Sequence, residues 1–436
     1  MSFTLLFAVL LLFGMAIFGR HFIPLPKNIW LLFLAQPLVM AGTSMIVFVG
    51  GLLASKIAPT PDLATLPITL MILGTAISVV PAIMLMKMVG RRKGTIIGLF
   101  IGLSGAVCCF VSALHGLFIF LCFGSFLIGS TMAFVAQMRF AALESVAQAE
   151  DSAKAISVLM TAGVFAAILG PEVAVISKDW ISSPHSFAGS FLALIIMMAI
   201  AICVVILLDP IIVKQTQERL TSRPISQIIK QPPFIIAAIS GAVAYFVMSF
   251  IMTATPLSMH EVDGHDLEAT KWVVQSHIVA MYLPAVFSAL LVRFLGVHRL
   301  MLLGSLSYVL VVWFALSGKE VMHYWWAMVL LGVGWNFLFT CGTLILPQSY
   351  LPHERFKVQA INDFTIFFFQ TVASLFAGII LFKQGWSTLI VISLPIVILM
   401  LLVSLWYYVL QSRKGSLNAE APNYPEAAEE PEKVKI

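Results

Sequence analysis

Residues 87–93 read Lys87-Met88-Val89-Gly90-Arg91-Arg92-Lys93, and at an offset of 206 residues 293–299 read Arg293-Phe294-Leu295-Gly296-Val297-His298-Arg299. A base matches a base at 87 and 293, a glycine matches a glycine at 90 and 296, and Gly98 matches Gly304 beyond them. Each stretch is a short basic hinge between two long apolar runs. The chain reads as a duplication, and an internal repeat governs how everything around it is interpreted.

Outward from the hinges, stretches of 18 or more mostly apolar residues mark membrane helices. Twelve run approximately over 29–54, 64–86, 95–114, 116–138, 154–177, 186–208, 232–258, 269–292, 300–317, 322–346, 359–382 and 387–410. Composition agrees: of 436 residues 60% are apolar and 10% charged, against about 25% charged in soluble domains, with a mean hydropathy of +1.02. A soluble fold is excluded, and an all-α polytopic membrane protein is expected. The polar connection 209–231 divides the spans six and six, into bundles 29–208 and 232–412 related by a pseudo-two-fold axis. A further apolar run, 3–19, lacks the basic region before it and the small-residue cleavage site after it that a signal peptide carries. Residues 1–28 are therefore expected to form an extra N-terminal helix and its linker. The tail 413–436, with Pro422, Pro425 and Pro431 among glutamates, reads as a disordered cytoplasmic end.

With the start of the first span placed in the cytoplasm, 20 of the 25 Lys and Arg fall inside and 5 outside, which obeys the positive-inside rule. The net charge of +5 serves topology, because nucleic-acid binding needs a basic patch on a soluble face. Cys108, Cys109, Cys122, Cys203 and Cys341 all lie in apolar segments, without metal or disulfide spacing, and read as small apolar fillers. No phosphate-binding Gly-Lys-Ser/Thr motif, metal cluster or nucleophile elbow occurs. ATP hydrolysis and a membrane enzyme are not expected, nor is a cofactor or metal.

Six plus six helices, a long central connection and the Gly90-Arg91-Arg92-Lys93 loop resemble the major facilitator superfamily of secondary transporters. The resemblance covers residues 29–410 and implies that fold, with two halves alternating access to a central site. In that family the loop has a Gly, three residues, an Asp, two residues and then Gly-Arg-Arg/Lys; here Ile83 stands at the first position and Lys87 at the Asp position. Lys87, Gly90, Arg91, Arg92, Arg293 and Gly296 are the expected gating joints, without the family's loop carboxylate. Gly170-Pro171 looks like the end of a motif associated with proton-coupled antiporters, with Val173 and Ala174 replacing its later glycines. Read from the residues alone, Gly163, Ala166, Ala167 and Gly170 form a small-residue stripe that lets two helices approach closely.

A charge in the hydrocarbon costs roughly 2.5–3.5 kcal/mol, so intramembrane titratable residues are functional candidates. Asp363 shares a face of the eleventh span with Gln370 and Ser374, amid phenylalanines; it is either a protonation or substrate site, or a partner for Arg139 or Arg355 that closes an inner gate. Glu172 in the fifth span is either a proton carrier entered from outside or an interfacial carboxylate reaching water. His277 is a third titratable candidate, with a hydrogen-bonded packing role as the alternative. Glu144 reads as gate structure. The polar faces of Gln36 and Thr43, of Tyr245, Ser249 and Thr253, of Gln275, and of Asn336 and Thr340, with Arg139 and Gln370, are the expected lining of the substrate cavity.

The expected function is secondary active transport of a small organic solute coupled to protons, by a monomer spanning a bacterial inner membrane. Gly170-Pro171 favours export. Uptake of an anionic nutrient or siderophore, met by Arg139 and His277, is the alternative, with a passive channel behind it.

Overall fold

The computed structural model describes residues 3–146, 149–210 and 223–420, so the middle of the central connection and the end of the tail lie outside the described residues. Regular structure in the described residues is helical throughout, as a bilayer demands, since lipid offers no partner for an open backbone group. In chain order the long helices are α1 (Phe3–Phe22), α2 (Lys27–Ile57), α3 (Leu66–Val89), α4 (Arg91–His115), α5 (Phe118–Val135), α6 (Met138–Ser145), α7 (Ala149–Ser177) and α8 (Ala188–Ile206). The second half comprises α9 (Pro232–Val262), α10 (Leu267–Val286), α11 (Ser288–Ser317), α12 (Val321–Ile345), α13 (Arg355–Gln384) and α14 (Trp386–Glu420). Spans one to six are α2 to α8, with α5 and α6 sharing the fourth, and spans seven to twelve are α9 to α14.

The hinge that revealed the repeat also repeats in its backbone. Gly90 has φ 86° and ψ 160°, and Gly296 has φ 73° and ψ 160°. A side chain at Gly90 would meet nothing within 4 Å, so the requirement is for positive φ, which glycine adopts without penalty. The eighth span breaks after Val286 and resumes at Ser288, so its inner end runs on to the Gly296 kink.

The extra helix α1 buries Leu5, Ala8, Leu12 and Ala16, one face at helical spacing, while Phe7, Leu10, Ile17 and Phe18 stay exposed. That face packs on α2 and α7, and the other meets hydrocarbon. Close packing within each half comes from glycine: a side chain at Gly129 in α5 would run into the Met71 carbonyl of α3, and one at Gly74 into the Phe126 carbonyl. Helix α14 continues to Glu420, beyond the start expected for the tail at 413. Leu417, Ala419 and Glu420 are good helix formers that extend its ladder. Residues 421–436 lie outside the described residues.

Candidate functional site

The halves meet at their outer ends. In α7, Glu172 is buried and sits 3.2 Å from Lys271 of α10, which also pairs with Glu268 at 2.6 Å. Gln275 Nε2 donates to the Ile168 carbonyl at 3.3 Å across the same seam. Nearer the bilayer centre, a side chain at Gly163 would press on the Tyr282 ring. On the opposite side, Thr69 of α3 and Ser374 of α13 share a 3.1 Å hydrogen bond, with Thr253 of α9 at 3.4 Å from Ser374; Gly378 abuts Thr65. All these groups lie in the outer half of the bilayer or at its middle.

On α9, α12 and α13 the polar stripes pass from buried to half-buried or exposed positions toward the inside. On α12 the stripe passes from buried Asn336 through half-buried Thr340 to exposed Thr343 and Pro347; on α13 from buried Ser374 through half-buried Gln370 to half-buried Asp363; on α9 from buried Thr253 and Ser249 to half-buried Tyr245. The stripes on α9, α12 and α13 outline a candidate central cavity.

Aromatic rings form its inner lining in the second half. Tyr245 makes edge-to-face contacts with Trp335, Phe339 and Phe367 at centroid distances of 5.2, 5.3 and 6.1 Å. Trp335 stacks on Phe339 at 5.3 Å, and its other neighbour is Tyr282 at 6.4 Å. Edge-to-face and offset pairs each add about 0.5–1.5 kcal/mol beyond area burial, which makes the cluster a firm platform. One turn inward from Phe367 on α13 is Asp363, whose Oδ1 accepts from Asn362 Nδ2 at 3.2 Å and feels the charge of Arg139 across from the first half. Among the described residues, the buried polar atoms without a hydrogen-bond partner include Trp335 Nε1, a donor, and Gln36 Oε1 and Asn362 Oδ1, acceptors. Buried polar groups are rarely left unpaired.

The structure brings some sequence candidates together and separates others. Tyr245, Thr340, Asp363 and Gln370 share the cavity wall, with exposed Arg139 near its inner mouth. Gln36 Nε2 reaches Met40 Sδ at 3.5 Å, and Thr43 Oγ1 donates to the Met40 carbonyl. Ser249 and Thr253 are buried under the outer closure. Glu172 is buried and paired with Lys271 of α10. His277 is displaced from the cavity: fully buried, it places Nδ1 2.8 Å from the Met328 carbonyl, between α10 and α12. Asn336 turns the same way, donating to the Met281 carbonyl at 2.7 Å, and Gln275 belongs to the seam. Gly170 packs on Ala41 and Ser44 of α2, which supplies a packing reason for that glycine. At the hinge, Arg91 donates to Gln137 at 3.2 Å and Arg92 to the Ile206 carbonyl at 2.5 Å, tying the loop to neighbouring helices; Lys87 and Arg293 are exposed. The side chain of Glu144 lies outside the described residues.

Sequence reading missed Lys271, whose place near a helix start looks like a loop position, and the rings of Trp335, Phe339 and Phe367, indistinguishable from lipid-facing aromatics. It also missed Arg223 and Glu354. Fully buried Glu354 accepts from the Arg223 backbone N–H and Nε at 2.9 Å, from Nη2 at 2.6 Å and from the Leu351 N–H at 2.9 Å. The Arg223 bonds hold its carboxyl well below the usual carboxylate range, fastening the end of the central connection to the start of α13. A depressed carboxylate contributes stability that is complete above its unfolded pKa of about 4.3 and is lost as pH falls toward the folded value. Glu354→Gln should therefore lower the melting temperature of purified protein at pH 7, with the gap from wild type narrowing below about pH 4. A gap that is constant with pH would count against an ionised latch.

Comparison with known proteins places this architecture. The family model described as the Major Facilitator Superfamily matches residues 32–355 and again 239–433, and that family's members are transporters. A riboflavin transporter, RfnT, of Brucella anthropi is 34% identical over 377 residues, covering 86% of this chain and 94% of its own. The uncharacterized transporter YdeG of Bacillus subtilis is 29% identical, covering 87% and 91%. Among solved structures, a bacterial homologue of the human lysosomal transporter Spinster, inward-facing and unoccupied, superposes with a TM-score of 0.64 at 14% identity, covering 89% of this chain and 96% of that one.

Proposed function

The chain belongs to the Major Facilitator Superfamily, and from that premise we propose that it carries a flat aromatic nutrient, riboflavin or a close relative, into the cell across the cytoplasmic membrane with protons. The observation that carries this reading is the ring platform of Tyr245, Trp335, Phe339 and Phe367, with the unpaired donor of Trp335 and acceptor of Gln36 among the cavity helices. A planar heterocycle with polar edges stacks on such rings and offers both an acceptor and a donor. The 34% identical riboflavin transporter supports the same class of solute. Export rested on Gly170-Pro171, and the contact of Gly170 with α2 accounts for that glycine without it.

Alternating access then runs between the outer closure described above and an inner closure that brings α6 and α13 together. Glu172 with Lys271 holds the outer side shut, the Gly90 and Gly296 hinges carry the inner ends, and Asp363 exchanges the coupling proton. A monomer suffices, since each half supplies part of one cavity.

The test is growth and uptake in a strain unable to make or import riboflavin. Expression should restore growth on low external riboflavin and accumulate its fluorescence inside. Trp335→Ala or Tyr245→Ala should each raise the KM about tenfold, the loss of one good ring contact, with expression unchanged. If the strain is not rescued and purified protein shows no quenching of riboflavin fluorescence, the substrate class is wrong.

A further inference from the structure

A second cavity lies apart from the central one, on the membrane-facing flank where the halves meet. It encloses about 500 Å³ between α1, α7, α10 and α12, with Phe7, Ile168, Glu172, Gln275, Trp325 and Val333 among its walls. Its polar groups sit at one level: Gln275 Nε2 lies 3.5 Å from Glu172 Oε1, and Trp325 Nε1 donates to Ser276 Oγ at 2.9 Å. Trp325 also stacks on Trp272 at 5.3 Å, and paired tryptophans of this kind mark the headgroup level. Below that level the lining is aliphatic, ending at Leu283 and Val333. Both helices descend eight residues from the polar level to the floor, about 12 Å at 1.5 Å per residue, which is close to the roughly 15 Å hydrocarbon depth of one leaflet. Phe7 of α1 stands at the flank, 58% exposed toward the bilayer.

Outward of the lining, α10 carries charge next to Glu172. Lys271 lies between Glu172 at 3.2 Å and Glu268 at 2.6 Å, two carboxylates about one ammonium, and Glu268 is 64% exposed. The exposed carboxylate of Glu268 stands at headgroup level, where a cationic group complements it.

We propose that this cavity holds one acyl chain of an outer-leaflet phospholipid whose amine-bearing headgroup seats at Glu268 beside Lys271 and Glu172. The source is the bilayer, because the open flank faces hydrocarbon and the depth is that of one leaflet. Ile168 and Glu172 come from one half and Gln275 to Val333 from the other, so the site is complete only while the outer side is closed, and a bound lipid favours that state to the extent that it binds it better.

The experiment is native mass spectrometry on the full chain released from nanodiscs containing phosphatidylethanolamine and phosphatidylglycerol in equal amounts. Wild type should retain one phosphatidylethanolamine, in about fivefold preference over phosphatidylglycerol, the size expected for one exposed charge contact. Val333→Phe, which fills the floor, should release it. Glu268→Lys, at an exposed side chain, should reverse the preference and keeps the test decisive if Val333→Phe does not fold. Equal retention of the two lipids by wild type, or a preference unmoved by Glu268→Lys, overturns the proposal, as does a wild type that holds no more lipid than Val333→Phe.

Discussion

Asp363→Asn is expected to abolish accumulation of solute driven by a proton gradient while leaving exchange of labelled for unlabelled solute at close to the wild-type rate. In the proposed cycle Asp363 faces the inward-open cavity, one helical turn from the ring platform, with Asn362 at 3.2 Å and the charge of Arg139 acting on it. A carboxylate placed there can give up its proton to the cytoplasm in this state and regain one when the cavity faces outward. Asparagine keeps the size and the hydrogen bond and removes the titration. One proton per solute moving down a gradient of one pH unit supplies 1.36 kcal/mol, about a tenfold accumulation; the variant in proteoliposomes should level off at the external concentration. Exchange needs only the cavity and the gates, so it serves as the internal control for folding and binding. If Asp363→Asn still accumulates solute in response to an imposed pH gradient, the coupling group is elsewhere. If exchange is lost together with accumulation, Asp363 is part of the gate or of the binding site.

Lys271→Ala is expected to open the outer side. Lys271 and Glu172 are 10% and 5% exposed in their side chains and 3.2 Å apart across the two halves. Removing one partner of a buried pair costs about 3–5 kcal/mol because the remaining charge keeps its desolvation penalty. The penalty falls on the closed arrangement, since separation of α7 and α10 lets water reach Glu172, so the outward-facing population should rise by about a hundredfold or more. A cysteine placed at Thr69, buried on the far side of the outer closure, reports this by its reaction with a membrane-impermeant maleimide added outside. Labelling should be fast in Lys271→Ala and slow in wild type, and adding Glu172→Gln to Lys271→Ala should slow it again by removing the carboxylate charge. Equal labelling of wild type and Lys271→Ala would show that the contact of Ser374 with Thr253 and the packing about Gly378 close the outer side without the ion pair.

The apolar spans and the two-fold repeat were legible in the chain alone because they depend on local quantities: a run of apolar residues is long enough or it is not. The hinge was legible for the same reason, Gly90 and Gly296 both sitting where the backbone takes a positive φ. The cavity was half legible. The polar stripes on α9, α12 and α13 were visible as spacing, but spacing identifies a face and not what it faces. Asn336 and Thr340 are one turn apart, yet Asn336 bonds to Met281 of α10 while Thr340 lines the cavity. His277, Gln275 and Glu172 went the same way: each is a polar residue in an apolar helix, and only the rotation and tilt set by packing against neighbouring helices decided that His277 would meet a backbone carbonyl and Glu172 a lysine. Arg223 and Glu354, 131 residues apart, carry no local sign of each other. The sequence determined that this chain crosses the membrane as two related six-helix halves with an added N-terminal helix. The tertiary structure decided which charges pair and which rings gather into one wall, because those outcomes are set by contacts between helices distant along the chain.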